Sequence, residues 1–118
     1  MSNALFAVNF DCADAAALAR FWADVLGRQV AEGSTSEHAV LLPGDGDTSG
    51  PRMTFNKVPE PKTVKNRMHL DVISDTFAAE TERLLGLGAR GLRDVERGEA
   101  RWTTFADIEG NEFDLIAG

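Results

Sequence analysis

Residues in the first half of the chain recur in the second at a fixed offset of 61: Asp14 falls on Asp75, Leu18 on Ala79, Leu26 on Leu87 and Gly27 on Gly88. Identities are few, but the order of patterns is shared. Each half reads as a strand, a capped helix, a glycine stop and three further strands, which is a βαβββ module used twice. One module alone leaves a sheet face bare, and pairing the two supplies the missing burial. The expectation is therefore a single α+β domain over residues 1–118, with module one at about 1–58, a linker at about 59–66 and module two at about 67–118. Pro59 and Pro61 suit an extended linker rather than a helix.

The elements follow from local periodicity. Val8, Phe10 and Cys12 alternate with Ala7, Asn9 and Asp11, the pattern of a half-buried strand. Asp14 is placed to cap a helix whose buried stripe is Leu18, Phe21, Trp22, Val25 and Leu26, and Gly27 ends it. Short strands are predicted near 28–33, 37–42 and 52–58. In the second half a strand spans 68–73, Asp75 caps a helix with a stripe of Phe77, Thr81, Leu84 and Leu85, and Gly88 ends it. Strands then follow near 89–96, 100–106 and 111–117, with a turn at 107–111.

Composition narrows the partners. The 118 residues carry a formal charge of -7, which argues against nucleic acid and anionic membrane as partners, since both select a basic face. Cys12 is the only cysteine, so no intrachain disulfide and no four-thiolate structural zinc site is available. No apolar run approaches the length of a membrane span, and the first residues lack the basic start of a secretory signal. The expectation is a cytoplasmic protein.

Asp14 with ARFWADVLG at 19–27, VPEPKTVKNRMHLDV at 58–72 and ADIEGNEFDL at 106–115 resemble the glyoxalase/bleomycin-resistance/dioxygenase superfamily, the vicinal oxygen chelate fold, and its small glyoxalase-like domain proteins. The resemblance covers nearly the whole chain, with Ile108 standing where the family usually has proline. It implies two paired βαβββ modules forming a curved mixed sheet around a cleft. It also implies that metal-dependent members take ligands from the first and last strand of each module. Those positions match Ala7, a residue near Phe55, His69 and Asp114. Ala7 has no donor atom, and Asp114 stands where metal-using relatives usually have glutamate.

His69 is thus the central candidate. Strand alternation puts it on one face with Asp71 and Ile73, opposite Leu70 and Val72. Parity also places Glu112 with Asp114, and Asn9 with Asp11. Phe55 and Trp102 are the aromatic candidates for a ligand wall. The ligand-binding set is then His69, Asp114, Glu112, Asn9, Asp71, Phe55 and Trp102, on a cleft that takes a small organic molecule.

Because Ala7 cannot ligate, the favoured reading is a small-molecule binder with no cofactor and no complete metal site. The alternative is a metal-dependent lyase, isomerase or dioxygenase in which His69 and Asp114 hold a divalent metal ion and Glu112 ligates or moves a proton. The weaker patterns have blander readings. Asp45, Asp47 and Ser49 resemble the start of a calcium loop, but its twelfth position is Asn56, so an exposed polar loop is expected. Cys12 reads as a small buried hydrophobe. Phe21 and Trp22 are adjacent on one helix, so one of them is expected to leave apolar area for a homodimer contact.

Overall fold

The computed structural model describes residues 4–45 and 50–118, so Asp47 and Ser49 of the calcium-like loop lie outside the described residues. The chain forms two compact units, Met1–Lys62 and Thr63–Gly118. The first contains β1 (Ala7–Cys12), α1 (Ala15–Leu26), β2 (His38–Leu41) and β3 (Arg52–Lys57); the second contains β4 (Leu70–Ser74), α2 (Phe77–Gly86), β5 (Arg90–Arg97), β6 (Ala100–Ala106) and β7 (Glu112–Ala117).

In the first unit the local signals act as their chemistry dictates. The Asp14 carboxylate accepts the Ala17 amide at 3.1 Å, filling one of the orphan donors of the α1 first turn. Gly27 closes the helix with φ 66, a left-handed conformation that costs a side-chain-bearing residue more than it costs glycine. Between these ends Leu18, Phe21, Trp22 and Val25 are all buried. Phe21 and Trp22 meet edge to face at 5.5 Å, so the apolar area expected to be left by one of them is absent. The helix packs on β2 and β3. There Phe10 stacks on Phe55 at 5.1 Å and lies 6.1 Å from Trp22. Burying side chains of this size contributes about 1.5–3 kcal/mol each, which makes this aromatic group a main stabilising element of the unit.

The second unit opens with the same strand–helix pair, but both ends of its helix differ: the C-cap of α2 is Leu87 in the right-handed conformation, where that of α1 is the left-handed Gly27. Thr76, not Asp75, is the N-cap of α2, and no side chain caps it. Ser74 Oγ instead accepts the Thr76 amide at 3.1 Å, fixing the chain just before the helix. Leu84 is fully buried, and α2 packs on β5 and β7. Phe105 and Phe113, partners in the β6–β7 ladder, stack at 5.6 Å beside the fully buried Leu115.

The sheets correct the expected architecture. Instead of one curved sheet around a cleft there are two separate open sheets, ordered β1-β3-β2 and β4-β7-β6-β5, neither closed nor strongly curled. The reason lies in the ladders. β1 satisfies its backbone by parallel pairing with β3, and β4 does so by parallel pairing with β7, each within its own unit. Among the described residues the strand predicted near 28–33 is a single bridge, Val30 to Leu41, so the first sheet has three strands there and the second four.

A candidate metal centre

Strand β7 alternates cleanly. Phe113 and Leu115 are buried, whereas Glu112, Asp114 and Ile116 are only partly covered. The parallel register then sets Asp71 of β4 beside Asp114, and the antiparallel register sets Thr104 of β6 on its other side. His69 lies one residue before β4, at the end of the same row of side chains.

This register gathers three ligand-type groups. His69 Nε2 is 3.2 Å from Asp71 Oδ1 and 3.3 Å from Asp114 Oδ2. One donor atom from each of the three residues fits within a 4.8 Å span. The two carboxylates differ in setting: the Asp71 side chain is 54% exposed and that of Asp114 only 16%. Asp114 is further restrained through its second oxygen, because Thr104 donates its hydroxyl to Oδ1 at 2.6 Å.

Glu112 points to a different task. Its Oε1 accepts hydrogen bonds from Lys65 Nζ at 3.3 Å and from the Arg93 guanidinium at 3.2 Å. Partial burial opposes its ionisation, but these hydrogen bonds and the two positive charges outweigh that effect and hold its carboxyl below the ordinary glutamate value. Glu112 is therefore an ion-paired carboxylate, and Asp71 takes the third place in the cluster that the sequence reading offered to Glu112.

The turn before β7 keeps this row in register. Asp107, buried, accepts the amides of Glu109 and Asn111 through Oδ1, each at 2.9 Å, and the Asn111 side-chain amide through Oδ2 at 3.0 Å. Gly110 within it has φ 87, which a side chain would strain.

Trp102 lies two residues before Thr104 on β6, half-buried, with the Arg97 guanidinium 5.6 Å from its ring. Asn9 belongs to the first unit, where it accepts a hydrogen bond from Asn56 at 3.1 Å, and the other end of the Asn56 amide meets His38 Nδ1 at 2.9 Å. Phe55 is fully buried against Phe10, so it is a core residue of its unit. Ala7 presents only a methyl group, beside Arg52 in the β1–β3 ladder. Thr104, Lys65 and Arg93 escaped the sequence reading. The parity of β6 put Thr104 on the face of Trp102, but only the register puts it opposite Asp114.

The model for the glyoxalase-like domain matches residues 7–116. Among solved structures, a glyoxalase/bleomycin resistance protein/dioxygenase family enzyme from Burkholderia phytofirmans superposes with a TM-score of 0.78 at 20% identity, over 98% of this chain and 98% of that one. A mutant of the fosfomycin resistance protein FosX from Listeria monocytogenes, in complex with Mn(II) and 1S,2S-dihydroxypropylphosphonic acid, superposes with a TM-score of 0.77 at 19% identity, over 100% of this chain and 91% of that one. A glyoxalase-related enzyme from Fulvimarina pelagi gives 0.72 at 16% identity, over 99% and 89% of the two chains. No curated protein matches the chain. At these identities the superpositions speak to the fold, and the match over 7–116 settles the lineage: the chain belongs to the glyoxalase-like domain family.

Proposed function

We propose that this protein is a metal-dependent enzyme acting on a small organic molecule, with a divalent ion held by His69, Asp71 and Asp114. The observation that carries this reading is the convergence of one imidazole nitrogen and two carboxylates within 4.8 Å. Three protein ligands are what an open catalytic site commonly has, leaving further positions for substrate oxygens. A mixed nitrogen–oxygen donor set suits manganese and its first-row neighbours, and the Mn(II) in the FosX complex agrees with that choice. This reverses the preference drawn from Ala7 alone: Asp71, expected only as a cleft residue, offers a donor beside His69 and Asp114.

A bound ion supplies Lewis acidity to the substrate oxygens it touches. The chain's own residues do the rest. His69 and Asp71, each about half exposed, leave the cluster open to a ligand. Asp114, held by Thr104, is the fixed wall of the site. Glu112, two residues before Asp114, pairs with Lys65 and Arg93, and their charge favours an anionic group on the substrate. The reaction classes open to this arrangement are those of a lyase, an isomerase or a dioxygenase.

Calorimetric titration of chelator-treated protein with Mn(II), Fe(II), Ni(II) and Zn(II) tests the reading. The expected result is one equivalent of at least one of these ions, with H69A and D114A each weakening it by about tenfold or more. Wild-type protein that takes up none of the four ions overturns it.

A further inference from the structure

Two threonines stand side by side on β6, and each donates its hydroxyl to an aspartate on a neighbouring strand at 2.6 Å. Thr103 donates to Asp94 of β5, and Thr104 donates to Asp114 of β7. Each pair is also directly opposed in its ladder. Both threonines are buried, at 7% and 5% exposure. Successive side chains on a strand point to opposite faces, so only the Thr104 pair shares a face with His69.

We propose that Thr104 is a positioning residue of the metal centre. Resting on the metal reading above, the proposal assigns Thr104 the task of occupying Asp114 Oδ1, so that Oδ2 stays turned toward His69 Nε2. A carboxylate free to rotate about its last bond presents either oxygen. One whose first oxygen is tied to a buried hydroxyl presents the other in a fixed place. The β-branched threonine is stiff at its first side-chain torsion, and burial holds it further, so the hydroxyl is itself well placed. The ordering of Asp114 is then completed during folding and is not charged against metal binding. Asp71 is far more exposed and serves as the adaptable ligand of the pair.

Thr103 is a built-in control, with the same hydroxyl-to-carboxylate bond on the same strand but on the other face. The experiment compares T104V, T104S and T103V. Valine keeps the shape and removes the hydroxyl; serine restores the donor. The readouts are Mn(II) affinity by calorimetry, the electron paramagnetic resonance spectrum of bound Mn(II), and the urea midpoint of the metal-free protein. T104V is expected to weaken Mn(II) binding by about tenfold, within the range seen when a group supporting a ligand is lost. T104S should recover most of the affinity, and T103V should bind Mn(II) like wild type whatever it does to the urea midpoint. If T104V does not fold, T104C, with a weaker donor of similar size, is read in its place. Wild-type affinity in the Thr104 variant, with binding still lost in H69A, overturns the role of Thr104 and leaves the metal reading standing. An equal loss in T103V and T104V also overturns it, since that is a general effect on the sheet. Absence of Mn(II) binding in wild type overturns the metal reading and this proposal with it.

Discussion

Asp71 and Asp114 are neighbours across a parallel ladder, and both reach the same ring nitrogen of His69, at 3.2 and 3.3 Å. Their surroundings make them unequal. Asp114 is largely buried and tied to Thr104, whereas Asp71 is more than half exposed. Replacing each by asparagine keeps size and removes charge. D114N is expected to weaken Mn(II) binding by about tenfold or more and D71N by less, because an exposed, hydrated ligand contributes less preorganised attraction. Side-by-side calorimetry measures this; a larger loss in D71N contradicts the order.

Acid should unpick the Glu112 ion pairs in a defined direction. The folded-state pKa of Glu112 is depressed, so its contribution to stability is complete above the unfolded carboxylate value of about 4.3. It is lost as pH falls through the lower folded value. Urea midpoints of wild type and E112Q should therefore differ at pH 7, with wild type higher, and converge in acid. A difference that persists unchanged through the acid range contradicts the assignment.

Removing the Asp107 side chain leaves the Glu109 and Asn111 amides without their acceptor. D107A should lose about 1.5–3 kcal/mol of stability, the scale of losing hydrogen bonds to a charged acceptor. Differential scanning calorimetry reads this as a drop in Tm of several degrees. An unchanged Tm means that water replaces the carboxylate fully.

The packing side of the second sheet should respond in stability rather than ligation. Leu115 is fully buried, so L115A is expected to cost about 2–5 kcal/mol through lost burial and a cavity. Leu70, which the strand pattern also placed on the packing side, is only half-buried, so L70A should cost less. Denaturant titration orders the two variants. Both should retain the Mn(II) stoichiometry of wild type, because neither side chain belongs to the cluster.

The sequence alone determined the features that depend on local chemistry. Asp14 and Gly27 bracket α1 because a carboxylate can cap free amides and glycine tolerates positive φ. The alternation of Glu112, Phe113, Asp114 and Leu115 already separated packing from open positions on β7, since a strand has a period of two. The offset repeat and the family-like motifs were enough to name the lineage. They were not enough to show that β1 and β4 each complete their ladders within separate open sheets. They also misplaced the cap of α2, because Asp75 and Thr76 are both plausible caps and only the path of the chain out of β4 chooses Thr76.

The site itself was decided at the tertiary level. His69, Asp71 and Asp114 were all visible as cleft candidates, but strand parity offered Glu112, not Asp71, as the third metal ligand. Parity says which face a side chain takes and nothing about which residue lies across the ladder. Register is fixed by the joint packing of strands some 40 residues apart: Leu70 comes opposite Phe113, and that pairing brings Asp71 to Asp114. The same step hands Glu112 to Lys65 and Arg93 and sets Thr104 against Asp114.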